Sequence, residues 1–146
     1  MRWIGPRRKD EAGETGWTGR LRRVGHALDG FGAPLRDVAI AVDGDRAHAM
    51  ALVWRATRDT AEWAPVTAAI SLIEYGERGD GGPWAGRLGV LGAAMDRRGQ
   101  DLREPSVMQV EGGFVVSALV PAVTQRGHGW NLVTWEVGVD DPEGGQ

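Results

Sequence analysis

The sequence predicts an α+β fold in which two tandem αβββ units form a pseudo-two-fold, six-stranded, mostly antiparallel sheet with two helices on one face. The first observation is an internal repeat: residues 84–137 match residues 17–70 at an offset of 67, with 17 identities in 54 gap-free positions. Chance gives roughly four identities over such a length. The second observation is that each copy opens with an apolar stripe of helical period. The third is that strand-like segments follow this stripe in each copy.

Each copy begins with a predicted helix, the first over residues 17–31. Its apolar side chains recur at helical spacing: Leu21, Val24, Leu28 and Phe31. Glycines and a proline follow and should end the helix. The second helix starts at Pro83, a residue suited to a first helical turn. Asp29 and Asp96 occupy matching positions near the two helix ends, and Asp37 and Glu104 match approximately, beside Arg36 and Arg103. We interpret these carboxylates as parts of local ion pairs or turn caps.

Three strands follow each predicted helix. They are residues 38–42, 47–55 and 63–75 in the first copy, and residues 106–110, 114–120 and 130–139 in the second. Asp43-Gly44 is a hairpin signal between the first two strands. Pro121 should mark a strand end or a sheet edge, because proline has no N–H to donate.

These elements divide the chain into one folded domain with extensions. The domain is predicted over residues 17–139, as two repeats at 17–75 and 84–139 joined by a Gly-rich linker at 76–83. Residues 1–16 read as a flexible basic N-terminal leader, and residues 140–146 as a polar tail.

The amino-acid composition excludes several kinds of function. The chain has 146 residues, a net charge of −3 and no cysteine, which excludes disulfides, thiol catalysis and Cys-ligated metal sites. The negative charge gives no general attraction to nucleic acid or anionic membranes. Because no apolar run is long enough to cross a bilayer, we expect a cytoplasmic protein that binds neither a membrane nor nucleic acid.

Catalytic and metal-binding patterns are missing from the sequence. The three histidines, His26, His48 and His128, lack the spacing of metal ligands. The serines do not lie in a nucleophile motif, and the Gly-rich linker is not followed by the lysine of a phosphate-binding loop. We therefore expect a protein that is not an enzyme and that uses no cofactor or metal.

Two predicted strands are apolar on both faces. In an antiparallel sheet with one face in water, apolar and polar residues should instead alternate along each strand. On residues 47–55, His48, Met50, Leu52 and Trp54 point to one face, while alanines and a valine point to the other. Three arrangements could cover the second face of such a sheet: strong curvature that closes it into a half-barrel, a second subunit, or a bound partner. Of these, we expect a homodimer or a protein partner. The order of one helix, three strands, a second helix and more strands resembles small α+β partner-binding folds such as secretion chaperones.

The tryptophans suggest where a binding site lies. Trp17 and Trp84 match across the repeat, as do Trp63 and Trp130, and we expect each helix-start tryptophan to pack on the third-strand tryptophan of its own unit. Trp54 and Trp135 have no counterpart. With His48, Met50 and Leu52, these two unmatched tryptophans form the candidate binding residues. Alanine substitution at Trp54 or Trp135 should then affect binding more than folding, and the reverse is expected at Trp63 or Trp130.

Three functions remain open from the sequence. The first is a non-catalytic binding or adaptor protein that acts through an apolar sheet face and self-associates. The second is a small-molecule or lipid binder with a cavity between the sheet and the helices, lined by Met50, Leu52 and Trp54. The third is an enzyme that acts near the pseudo-two-fold axis through Asp, Arg or His.

Overall fold

The computed structural model describes residues 16–73 and 81–140. The predicted leader (1–16), linker (76–83) and tail (140–146) therefore lie largely outside the described residues. The elements in chain order are α1 (Trp17–Asp29), β1 (Leu35–Asp43), β2 (Arg46–Ala56), β3 (Ala61–Ser71), α2 (Pro83–Arg97), β4 (Arg103–Val110), β5 (Gly113–Thr124) and β6 (Gly127–Gly138).

The six strands form one sheet in the order β3-β2-β1-β4-β5-β6, and every neighbouring pair is antiparallel. β1 and β4 are the two central strands. They pair through Ala39 with Met108, Ile40 with Val107 and Ala41 with Ser106. The α+β class is confirmed, with two helices and a fully antiparallel sheet.

β1 and β4 both begin three residues earlier than the sequence predicts. Each contains an irregularity near its start, between Arg36 and Ala39 in β1 and between Arg103 and Ser106 in β4. Asp37 and Glu104 adopt positive φ angles of 56° and 50° at these points. A bulge breaks the two-residue alternation of side chains, so the apolar pattern reveals each strand only after its bulge.

Pro121 does not end β5, which continues to Thr124, so that part of the prediction is wrong. The pairing of β4 with β5 stops at Arg103 and Leu119, whereas Pro121 still pairs with Trp130 on β6. Beyond Leu119, β5 therefore has a neighbour on one side only. Proline is tolerated at such a local edge because no ladder bond is lost on the open side.

Both helices cover the same face of the sheet. Leu21, Leu28, Leu88 and Met95 are buried in one cluster with the inward-facing residues of the strands, among them Ile40. The helices also contact each other closely. A side chain at Gly25 would collide with the backbone at Trp84 and Ala85, and one at Gly92 would collide with the backbone at Trp17 and Thr18. Glycine at these two positions permits the contact between the helices.

The prediction that Asp29 and Asp96 form local caps or ion pairs is wrong. Each of these carboxylates caps the N-terminus of the other helix. The Asp29 carboxylate accepts hydrogen bonds from the N–H groups of Trp84 (2.9 Å) and Ala85 (3.0 Å). The Asp96 carboxylate accepts from the N–H groups of Trp17 (2.8 Å) and Thr18 (3.0 Å) and from the Thr18 hydroxyl (2.7 Å). The residues that precede the helices are glycines and supply no side-chain cap. The carboxylates therefore satisfy exposed N–H groups and lie at the positive ends of the helix dipoles.

Asp29→Ala and Asp96→Ala should each lower the free energy of unfolding by about 1–2 kcal/mol, the usual effect of losing a helix cap. Urea titration followed by circular dichroism measures this loss. Asp59→Ala removes an exposed carboxylate from the turn between β2 and β3 and is the matched control. Equal stability of all three variants would contradict the capping role.

Candidate binding surface on the open face of the sheet

Among the residues that the structure describes (16–73 and 81–140), no helix covers the second face of the sheet, and we call this face the open face. On β2 the alternation is regular, with Ala47, Ala49, Ala51 and Val53 buried on the helix side and the residues between them turned outward. The strand register extends this division across all six strands. The side chains of the open face include His48, Met50, Leu52, Trp54, Trp63, Ala39, Ala41, Ser106, Met108, Val110, Val115, Ser117, Leu119, Trp130, Leu132, Thr134 and Glu136.

The open face exposes large apolar side chains on β2, β4 and β6. Met50, Met108 and Leu132 are 56%, 58% and 69% exposed, and Trp54 and Trp130 are 36% and 41% exposed. Met50 and Met108 both pair with Ala39, from opposite sides, so the two methionines flank the middle of the sheet. A continuous apolar patch on this scale is typical of an interaction site.

Arginine–tryptophan pairs occupy two corners of the open face. The Arg36 guanidinium stacks 4.4 Å from the ring centre of Trp63, and that of Arg103 stacks 4.3 Å from the ring centre of Trp130. Trp54 lies beside Trp63, with ring centres 5.3 Å apart. Arg36 and Arg103 lie near the starts of β1 and β4. The Arg36 guanidinium also lies 3.7 Å from the Asp37 carboxylate, which is the local ion pair predicted there. Because β1 and β4 are antiparallel, the two arginine corners are diagonally opposite.

Two acidic side chains also lie on the open face. Glu136 is exposed near the end of β6, opposite Val115. Asp43 is exposed at the end of the central strand β1, where it pairs with Arg46. The open face thus has an apolar middle with charged side chains around it, an arrangement similar to the apolar core and polar rim of protein interfaces.

Four of the five candidate binding residues lie together on the open face: His48, Met50, Leu52 and Trp54. Trp135 lies on the helix side, where it is partly buried against the core. The Arg98 guanidinium stacks 3.9 Å from its ring centre. The structure therefore separates Trp135 from the other four.

The expected packing of the matched tryptophans is wrong. Trp84 packs edge-on against Phe114, with ring centres 6.4 Å apart, whereas Trp63 and Trp130 lie on the open face. The turn between Ala56 and Ala61 pairs those two residues, and this register places Trp54 opposite Trp63. The register of the β2–β3 hairpin determines which face carries Trp63. This register was the sequence signal that could have identified Trp63 as a surface residue.

Trp135→Ala should destabilise the fold more than Trp130→Ala, although both residues lie on β6. We expect the free energy of unfolding to fall by about 2–3 kcal/mol for Trp135→Ala, because partly buried aromatic packing is lost. For Trp130→Ala we expect about 1 kcal/mol or less, since an exposed cation–π contact is weak. Urea titration of dilute protein measures both changes, and the opposite ranking would contradict the assignment of faces.

The prediction that Met50, Leu52 and Trp54 line a cavity between the sheet and the helices is wrong, because these residues point away from the helices. A pocket of about 470 Å³ does open between the helix layer and the sheet, with Asp29, Trp84, Arg87 and Gln109 in its lining. Its polar groups already stabilise the fold. Asp29 caps α2, Gln109 accepts a hydrogen bond from the Val38 N–H at 3.0 Å, and Arg87 stacks on Trp84.

Within residues 16–73 and 81–140, no cluster of three or more His, Asp or Glu side chains is arranged to hold a metal ion. Neither helix in this part of the chain is long and apolar enough to span a membrane. Comparisons with protein-family models, with curated proteins and with solved structures find no match to the chain. We infer a function from the open face because it exposes large apolar side chains.

Proposed function

We propose that the protein is a non-catalytic binding or adaptor protein that docks a protein through the open face and that it self-associates. The observation that carries this proposal is the exposed apolar patch around Met50, Met108 and Leu132. Removing apolar surface from water contributes about 25 cal/mol per Å², so covering this patch would supply a large driving force. The hydroxyls of Ser117 and Thr134, 3.0 Å apart, and the exposed His48 can form hydrogen bonds with a partner.

The same proposal includes a tandem duplication with a pseudo-two-fold axis between the central strands. Three contacts support the duplication. One joins two residues that are 67 positions apart, and the other two recur after a shift of 67 positions. Ile40 pairs with Val107. The Arg36–Trp63 stack recurs as Arg103–Trp130, and the cap formed by Asp29 recurs with Asp96. A chain that arose as a fused homodimer would present equivalent corners on the open face.

Sedimentation velocity of the full chain, over roughly 1–100 μM, tests the docking function in the range where moderate affinities are resolved. We expect the mass to rise with concentration from the 15.7 kDa of one chain towards twice that value. The dye ANS, which fluoresces on exposed apolar surface, should bind less per chain as association proceeds. A constant monomer mass together with no ANS binding at any concentration would contradict the proposal.

A further inference from the structure

Building on the docking function proposed above, we propose that the occupant of the open face is a second copy of this chain. The two copies pack face to face as an aligned β-sandwich. Their two-fold axis lies parallel to the plane of the sheets, between the two open faces. Area, charge and the position of the apolar residues each favour this occupant.

The size of the open face suits a dimer. Six strands spaced ~4.8 Å apart, with ~8 residues each at ~3.3 Å, cover about 750 Å². Two such faces would bury about 1,500 Å² in total, close to the ~1,600 Å² of a standard protein interface. The face is therefore large enough to hold a stable dimer without any further element.

The charges of the open face complement those of a second copy. Two stacked sheets align their strands when the two-fold axis runs along the strands or directly across them. Both axes bring an arginine corner over Glu136. With the axis along the strands, Arg36 faces Glu136; with the axis across the strands, Arg103 faces Glu136. Each such contact of opposite charges would favour the second copy as the occupant.

The apolar middle of the face would become the core of the interface. Ala41 and Met108 lie on the two central strands, and Met50 lies one strand away. Either axis brings this region over the same region of the second copy. Small alanines between larger methionines allow the side chains of two sheets to interdigitate.

Chemical cross-linking of a single-cysteine variant tests the geometry. The chain contains no cysteine, so Ala41→Cys introduces one thiol at the centre of the open face, on an exposed residue. Facing sheets lie roughly 10 Å apart, which is too far for a disulfide. A bismaleimide of matching span should therefore link the two copies. Val90→Cys, on the exposed side of α2, is the matched control.

We expect more than ten times as much cross-linked dimer for Ala41→Cys as for Val90→Cys, with the difference lost on dilution to monomer. If the chain dimerises by sedimentation but Ala41→Cys links no better than Val90→Cys, the face-to-face geometry is overturned while docking by another surface remains. If the chain stays monomeric but binds ANS, the proposal that a second copy occupies the open face is overturned. The exposed apolar face would then be available to a different protein. A monomer that binds no ANS overturns both proposals.

Discussion

Gly25→Ala and Gly92→Ala are each expected to lower the free energy of unfolding by about 3 kcal/mol, at the upper end of overpacking effects. A Cβ atom at Gly25 collides with the carbonyl oxygen of Trp84, and one at Gly92 collides with that of Trp17. These are backbone atoms and cannot move aside by rotating a side chain. The helices would have to separate, which would also pull Asp29 and Asp96 away from the N–H groups that they cap.

Gly86→Ala is the matched control because Gly86 lies on α2 with open space where a Cβ would be added. Alanine favours the helix over glycine by about 1 kcal/mol, so this variant should be slightly more stable than the parent. Urea titrations of the three variants under identical conditions measure the contrast. Unchanged stability in Gly25→Ala would mean that the helices are not in close backbone contact.

Met108→Asp is expected to weaken self-association by at least ~100-fold, because it places a charge where an apolar interface core forms. Met108 is 58% exposed in the single chain, so its replacement should leave the stability of dilute protein nearly unchanged. The loss should appear in sedimentation velocity as a monomer at concentrations where the parent chain is dimeric.

Val90→Asp controls for the added charge, since Val90 is 53% exposed on α2. It should leave the association constant within about twofold of the parent value, as expected for a substitution outside an interface. Equal association constants for Met108→Asp and Val90→Asp would contradict an interface centred on Met108.

Local patterns in the sequence were sufficient to predict the class of fold and the order of its elements. The helix that starts at Trp17 and the hairpin at Asp43-Gly44 follow from apolar spacing and turn residues, and both are present. The strand starts at β1 and β4 were missed because a bulge with positive φ at Asp37 or Glu104 leaves no mark in an apolar pattern.

Contacts between distant segments could not be predicted in the same way. Asp29 and Trp84 are 55 residues apart, so nothing in the local sequence shows that one caps the helix of the other. Repetition was also a poor guide to the role of the tryptophans. The match of Trp63 and Trp130 across the repeat predicts that they pack inside the fold, yet both lie on the open face. The unmatched Trp135 packs against the core. Identity between repeats cannot distinguish a shared core from a shared surface.

Peroxide oxidation of the methionines, read by mass spectrometry, tests most directly whether a second copy covers the open face. Met50 and Met108 lie exposed on that face, while Met95 is 1% exposed in the core and serves as the internal reference. If two copies pack face to face, Met50 and Met108 should oxidise several times more slowly in concentrated protein than in protein diluted to monomer, while Met95 stays slow in both. Equal oxidation rates for Met50 and Met108 at both concentrations would contradict the account.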